Sequence, residues 1–95
     1  MNESILPGDA LAELLTLTVE VGGDGTIRYF NHLGKLHRIH GPAVISIEGH
    51  QYWYQNGLRH RTDGPALNWA DGDCEWWLNG EYLTEAQFHE RVKSV

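Results

Sequence analysis

The feature that most constrains this chain is an internal repeat with a spacing of 23 residues. Residues 49–71 and 72–88 align at that spacing. Their matching positions are Gly49 and Gly72, Trp53 and Trp76, Asn56 and Asn79, and Gly57 and Gly80. Residues 26–48 form an earlier unit. The same spacing matches Tyr29 with Tyr52, Phe30 with Trp53, His37 with His60, Arg38 with Arg61, and residues 41–43 with 64–66. We therefore expect three related units that pair strand to strand.

Each unit predicts two short strands joined by tight turns. The first strand is rich in aromatic residues and ends at an Asn-Gly dipeptide such as Asn56-Gly57, a strong hairpin signal. A polar return leads to a second turn at Asp63-Gly64, and Pro65 then starts the second strand, where its missing N–H is tolerated. The first unit has Leu33-Gly34 and His40 at the corresponding positions, so we expect its turns to be looser.

These signals predict a mainly β protein, a twisted antiparallel meander of repeated β-hairpins with a short C-terminal helix. We predict one domain over residues 1–95, with an N-terminal cap strand in 1–25, hairpin repeats in 26–83 and a helical cap in 84–95. Thr84 and Gln87 have the spacing of a helix capping box. Residues 9–15 are compatible with a further short helix before the first strand. Caps at both ends would cover the open edges of such an array.

The repeated pattern W-Y/W-x-N-G-x-x-H-R-x-D-G-P-A resembles the MORN-type repeats, in a variant that is similar to repeats of small bacteriophage and prophage proteins. The resemblance covers residues 26–84. It implies a hairpin-repeat fold, an interaction surface for proteins or lipids, and no shared enzyme activity. Phage relatives would imply a role in the contest between phage and host, such as inhibition of a host defence complex in the bacterial cytoplasm.

Charge and composition narrow the classes of partner. The net charge is −6, so we expect no non-specific binding of nucleic acid. The longest apolar stretch, residues 11–21, is interrupted by acids and is too short to span a membrane. The single cysteine, Cys74, cannot form an internal disulfide, which favours a reducing compartment. We therefore predict a cytoplasmic protein that does not bind membranes.

Two recurring His-Arg pairs are candidates for an anion site. His37-Arg38 and His60-Arg61 stand at equivalent places in two units, and guanidinium and imidazole groups suit phosphate or carboxylate. The structural alternative is that each pair bonds the Asp-Gly turn of its own unit, for instance Arg61 with Asp63. No zinc site is predicted, because the histidines lack the spacing and the cysteine partners of known sites.

The aromatic residues give the clearest indication of function. Phe30, Trp53 and Trp76 stand at matching positions and are predicted to be core. Their neighbours in sequence then face the other side of the strands, and a single sheet cannot bury both faces. Either the N-terminal segment covers this second face, or the face forms an aromatic interface, and we predict that part of it binds a partner protein or another copy of the chain. The predicted contact residues are Tyr52, Tyr54, Trp69, Trp77, Asp71, Asp73 and Glu75.

The sequence contains no nucleophile motif and no phosphate-binding glycine loop, so we predict no catalytic residues, no cofactor and no enzyme activity. The leading hypothesis is a protein-binding module with an acidic, aromatic surface, and specifically a phage-encoded inhibitor of a host nucleoprotein complex. The alternatives are a small-anion or nucleotide binder that uses the His-Arg pairs, and a structural accessory protein. A homodimer is compatible with the same aromatic surface.

Overall fold

The computed structural model describes residues 8–93 and confirms the predicted fold class. Two helices flank a run of nine short strands. The helices are α1, Gly8–Thr16, and α2, Glu85–Lys93. The strands are β1 (Thr18–Val21), β2 (Ile27–Phe30), β3 (Val44–Ile45), β4 (Gln51–Tyr52), β5 (Tyr54–Gln55), β6 (Leu58–Arg59), β7 (Leu67–Asn68), β8 (Cys74–Leu78) and β9 (Glu81–Leu83). Residues 42–78 contain no helix, as the repeat predicts.

Seven strands form one antiparallel sheet in the order β1-β2-β3-β4-β7-β8-β9, and β5 and β6 form a separate hairpin. In the second unit the chain leaves the large sheet at Trp53, between β4 and β5. In the third unit β8 makes the same crossing without a break, because Cys74 and Glu75 pair with β7 whereas Trp76 and the residues after it pair with β9. In both units the first residues of the aromatic strand therefore pair with the preceding strand, and its last residues pair with the following one.

The hairpin turns behave as the Asn-Gly dipeptides predict. Asn56 and Asn79 have φ angles of 52° and 49°, and the glycines that follow them have φ angles of 82° and 83°. Positive φ at both central residues defines the type I′ turn, whose twist matches that of paired strands. Asparagine is one of the few residues besides glycine that adopt this conformation at low cost. The sequence therefore places both hairpin loops correctly.

The first unit corrects the alignment drawn from the sequence. Its turn is closed by the N–H of Asn31, which donates to Lys35 O at 2.9 Å, and it contains one residue more than the Asn-Gly turns. As a result Tyr29, and not Phe30, occupies the place of Trp53. Tyr29 donates to Ala43 O just as Trp53 donates to Ala66 O, at 2.8 and 2.7 Å. The extra residue displaces the aromatic strand by one position, while the segment from His37 onward keeps the 23-residue spacing.

The ring at each crossing point, from Tyr29, Trp53 and Trp76, is half-buried rather than fully buried. In the first two units an arginine covers it: the Arg38 guanidinium lies 4.3 Å from the Tyr29 ring centroid, and that of Arg61 lies 3.8 Å from the Trp53 ring. Helix α2 supplies the cover in the third unit, where Phe88 packs on Trp76 with 4.8 Å between centroids. Cation–π and aromatic contacts therefore stabilise these rings, as burial in a deep core does in larger domains.

The fully buried core is small and follows the repeat. Ala43 and Ala66 have no exposed surface, and the next residues, Val44 and Leu67, are 7% and 4% exposed. Phe88 is 2% exposed and anchors α2. The capping box predicted for this helix is present, since Thr84 N–H donates to Gln87 Oε1 and Gln87 N–H donates to Thr84 Oγ1. The helix prediction for the C-terminal cap is thus confirmed together with its start.

Candidate functional site

The strand register places several predicted contact residues on one face of the large sheet. Tyr52 lies opposite Leu67, and Leu67 lies opposite Glu75. Residues directly opposite in an antiparallel sheet share a face, and so do residues two apart in one strand. Trp69, two residues after Leu67, therefore joins Tyr52 and Glu75. Its ring meets the ring of Tyr52 edge to face, with 6.3 Å between centroids.

Beside this row lies a cleft of about 480 Å³ at the third unit. We call it the acidic cleft. Its lining residues are Trp69, Asp71, Asp73, Cys74, Glu75 and Tyr82. Four of them, Trp69 and the three carboxylates, are predicted contact residues, which the structure brings together. Every charged lining residue is an acid, and Trp69 and Tyr82 provide aromatic walls. Such a cleft is complementary to a cation on a partner.

The acids are positioned by the turn between β7 and β8. Trp69 N–H donates to Asp73 O at 2.9 Å, which closes the turn, and Asp73 N–H donates to Asp71 Oδ1 at 3.0 Å. The carboxylates of Asp71 and Asp73 are exposed at its tip. Glu75 is half-buried and accepts a hydrogen bond from Trp77 Nε1 at 3.0 Å. The cleft is therefore formed by the sheet together with a hydrogen-bonded turn.

The remaining predicted contact residues, Tyr54 and Trp77, lie beside the cleft rather than in its lining. Arg59 connects them, because its guanidinium lies 4.8 Å from the Trp77 ring centroid and its Nε donates to the Tyr54 hydroxyl at 3.4 Å. Trp77 also packs against Tyr82, with 5.4 Å between centroids. Sequence reasoning missed Tyr82, which is 59% exposed. The sequence signal that could have found it is its position in the third unit, which corresponds to that of Arg59 in the second unit.

The histidines of the His-Arg pairs hold successive units together. His37 Nδ1 accepts the backbone N–H of Asn56 at 3.0 Å, and His60 Nδ1 accepts that of Asn79 at 2.9 Å. Each bond reaches the Asn-Gly turn of the next unit, and not the Asp-Gly turn of its own unit as the structural alternative expected. An imidazole nitrogen that accepts a bond is unprotonated. Burial also lowers the pKa of His60 from its ordinary value of 6.5.

The arginines of the pairs are directed inward. Nη1 of Arg61 donates to Pro65 O at 3.2 Å and its Nε donates to Asp63 Oδ1 at 2.8 Å, the contact that the structural alternative expected. Arg38 Nη1 donates to Pro42 O at 3.4 Å, but its Nε is buried and has no acceptor among residues 8–93. The cause is His40, which stands where the second unit has Asp63. Each guanidinium thus donates to a backbone carbonyl of its own unit.

Helix α1 contributes a contact that sequence reasoning missed. The Glu13 carboxylate accepts the backbone N–H groups of Ile39 and His40, at 2.6 and 3.0 Å. Its Oε2 also lies 3.9 Å from His37 Nε2. Glu13 thereby fastens the N-terminal helix to the second turn of the first unit, at the point where the aspartate of the repeat is missing. The acid was visible in the sequence, but its partner was not.

Across residues 8–93 no three His, Cys, Asp or Glu side chains are grouped so as to hold a metal ion. Neither described helix has the length and apolar character needed to cross a bilayer. Comparison with known proteins gave no match to a family model, to a curated protein or to a solved structure.

Proposed function

We propose that this chain is a protein-binding module, with no catalytic activity of its own, whose acidic cleft binds a basic surface of a partner protein. The observation that carries the proposal is the lining of the cleft, in which Asp71, Asp73 and Glu75 lie together with Trp69 and Tyr82. Aromatic anchors surrounded by charges are typical of the residues that dominate protein interfaces.

The chemistry of the cleft favours a partner that ordinarily binds nucleic acid. A row of carboxylates on a rigid turn resembles the phosphate charge that a nucleic-acid-binding groove receives. An acidic protein of net charge −6 would be drawn to such a groove over long range. In keeping with what the resemblance of the repeat pattern implies, we propose that the partner is a host nucleoprotein complex in the bacterial cytoplasm and that binding inhibits it.

The proposal is tested by charge reversal in the cleft. The tagged protein is used to capture a partner from bacterial lysate, and the captured partner is purified. Its association rate is then measured by surface plasmon resonance with the triple variant Asp71→Lys, Asp73→Lys, Glu75→Lys. Charges at the rim mainly steer encounter, so we expect the association rate to fall roughly tenfold or more at low salt, and the difference to shrink at high salt. Added DNA should compete with the wild-type protein for the partner.

The matched control is the double variant Arg38→Gln, Arg61→Gln, checked for folding by circular dichroism. Because both guanidiniums are used inside the repeat, we expect partner binding to change little as long as the variant is folded. An anion or nucleotide binder demands the reverse order, with the arginines essential and the acids dispensable. Equal insensitivity of binding to both sets of substitutions would contradict the proposal.

A further inference from the structure

Successive units are joined by the same ladder of three hydrogen bonds. Between the first and second units, Arg38 N–H donates to Tyr54 O and Gly57 N–H donates to Leu36 O, at 3.0 and 2.8 Å. Between the second and third, Arg61 N–H donates to Trp77 O and Gly80 N–H donates to Arg59 O, at 3.3 and 2.9 Å. The third bond is the one from each asparagine N–H to a histidine. The segment after each hairpin turn, residues 36–38 or 59–61, thus has an outer edge that the next hairpin covers.

In the third unit no hairpin among residues 8–93 follows, and only part of the edge is covered. Thr84 stands where Arg61 stands in the unit before, and its N–H donates to Gln87 Oε1 at 2.9 Å instead of to another strand. Leu83 replaces His60 and is 3% exposed. Tyr82 replaces Arg59, whose carbonyl accepts the bond from the next unit. The Tyr82 peptide groups therefore point outward from β9, the last strand of the sheet.

Clefts lie on both sides of Tyr82. One is the acidic cleft, and the other is a groove of about 390 Å³ between β9 and α2. The groove is lined by Glu81, Tyr82, Leu83, Gln87, Glu90 and Arg91. Together the two linings carry five acids, namely Asp71, Asp73, Glu75, Glu81 and Glu90, against the single base Arg91. That base forms an ion pair with Glu81 at 2.9 Å. The surroundings of the edge are strongly acidic.

We propose that the outer edge of β9 at Tyr82 binds an extended, basic segment of the partner protein by strand addition. The segment adds to the sheet where a fourth hairpin would stand, and its Lys or Arg side chains reach the acids on either side. Main-chain bonds at a sheet edge supply affinity in this mode, and alternate side chains supply specificity. The inference rests on the proposed function, since it specifies which feature of the partner the acidic surface recognises.

Charge decides between a foreign segment and a second copy of this chain. A second copy would bring the same five acids against those already present, and like charges opposed across an interface disfavour association. The strand at the opposite end of the sheet, β1, is not surrounded in this way. Its neighbour Arg28 lies 4.0 Å from Glu20, so the charges there are mixed. The β9 edge is therefore the one whose surroundings select a basic strand.

The test uses a fluorescein-labelled peptide of alternating arginine and valine, and the same peptide with glutamate in place of arginine. Binding to the full chain is followed by fluorescence anisotropy. The key variant is Tyr82→Pro, which removes an outward N–H and leaves the bonds between β8 and β9 in place. Val19→Pro is the matched control, because Val19 lies opposite Tyr29 on the other edge strand. Tyr82→Lys provides a second variant if Tyr82→Pro does not fold.

We expect the arginine peptide to bind the wild type and Val19→Pro alike, and to bind Tyr82→Pro and Tyr82→Lys at least about tenfold more weakly. The glutamate peptide should not bind. Equal binding of the arginine peptide to folded Tyr82 variants, or no binding to the wild type, would overturn the inference. So would a dimer in sedimentation that Tyr82→Pro dissociates. If charge reversal in the acidic cleft abolishes capture of the partner but the Tyr82 variants do not, the proposed function stands and strand addition is wrong.

Discussion

Gly64→Ala should destabilise this protein, although its backbone permits alanine. Gly64 does not have a positive φ, and a Gly→Ala change at such a position normally stabilises by about 0.4–1 kcal/mol. Here a Cβ atom would lie 2.8 Å from Arg61 Cζ and 3.1 Å from Nε and Nη1. The guanidinium is the end of a flexible side chain, so it would move away. The loss in the free energy of unfolding then equals the contribution of the contacts that Arg61 makes.

That loss can be worked out contact by contact. The cation–π contact with Trp53 at 3.8 Å is half-buried and contributes about 1–2 kcal/mol. The bond to Pro65 O adds about 0.5–1.5 kcal/mol. The pair with Asp63, whose carboxylate is 76% exposed, adds less than about 1 kcal/mol. After the usual gain from alanine is subtracted, the net destabilisation should be about 0.5–4 kcal/mol, with a fall in Tm of about 4–8 °C per kcal/mol.

Urea unfolding followed by tryptophan fluorescence measures this directly. Gly23→Ala is the control, because nothing lies within 4 Å of a Cβ atom there, and it should be neutral or stabilising. In an Arg61→Ala background the cost of Gly64→Ala should disappear, since the side chain that it displaces is gone. If Gly64→Ala stabilises the wild type as much as Gly23→Ala does, the arginine cover on Trp53 is not a stabilising element of the repeat. A cost that persists without Arg61 would equally refute the reasoning.

Two further predictions concern stability. Trp76→Ala should lower the free energy of unfolding by about 2–4 kcal/mol. This is somewhat below the cost at a fully buried site, because the ring packs on Phe88 but is only half-buried. A loss below about 1 kcal/mol in urea unfolding would show that the contact is weak. Acidification should also destabilise the protein through His60, whose pKa is lowered by burial. The contribution of His60 to the free energy of unfolding is complete above pH 6.5. It falls as the pH drops through 6.5, because the unfolded chain takes up a proton first. Urea midpoints at about pH 8 and pH 5 measure the effect, and a His60→Asn variant with unchanged pH dependence would contradict it.

Local signals predicted most of the fold. The Asn-Gly dipeptides fix type I′ turns because asparagine and glycine tolerate positive φ, and Thr84 with Gln87 fixes the start of α2. The alignment of the first unit could not be predicted in this way. A turn with one additional residue keeps the same kind of composition, so the shift of Tyr29 into the place of Trp53 appears only once the strands are paired.

The candidate site was predicted in part for the same reason. Trp69 and the acids near it adjoin one turn in sequence, so their gathering into a cleft follows from local structure. Tyr82 joins them across the β8–β9 hairpin, and Glu13 reaches the first unit from a different element. The role of His37 was also hidden, because its acceptor nitrogen serves a turn 19 residues further along the chain. Contacts between units depend on how far the chain advances per repeat, which spacing alone does not give.

Gln87 and Phe88 take the place of the next hairpin, so the array ends through a few residues that could follow any of its units. Thr84 occupies the place of Arg61, so the stop is encoded by a short stretch that begins at a position shared by every unit. The number of hairpins is therefore an adjustable quantity. Gain or loss of a 23-residue unit ahead of residue 84 would keep the capped helix and an unchanged last edge, while the distance between the two ends of the array would change in fixed steps.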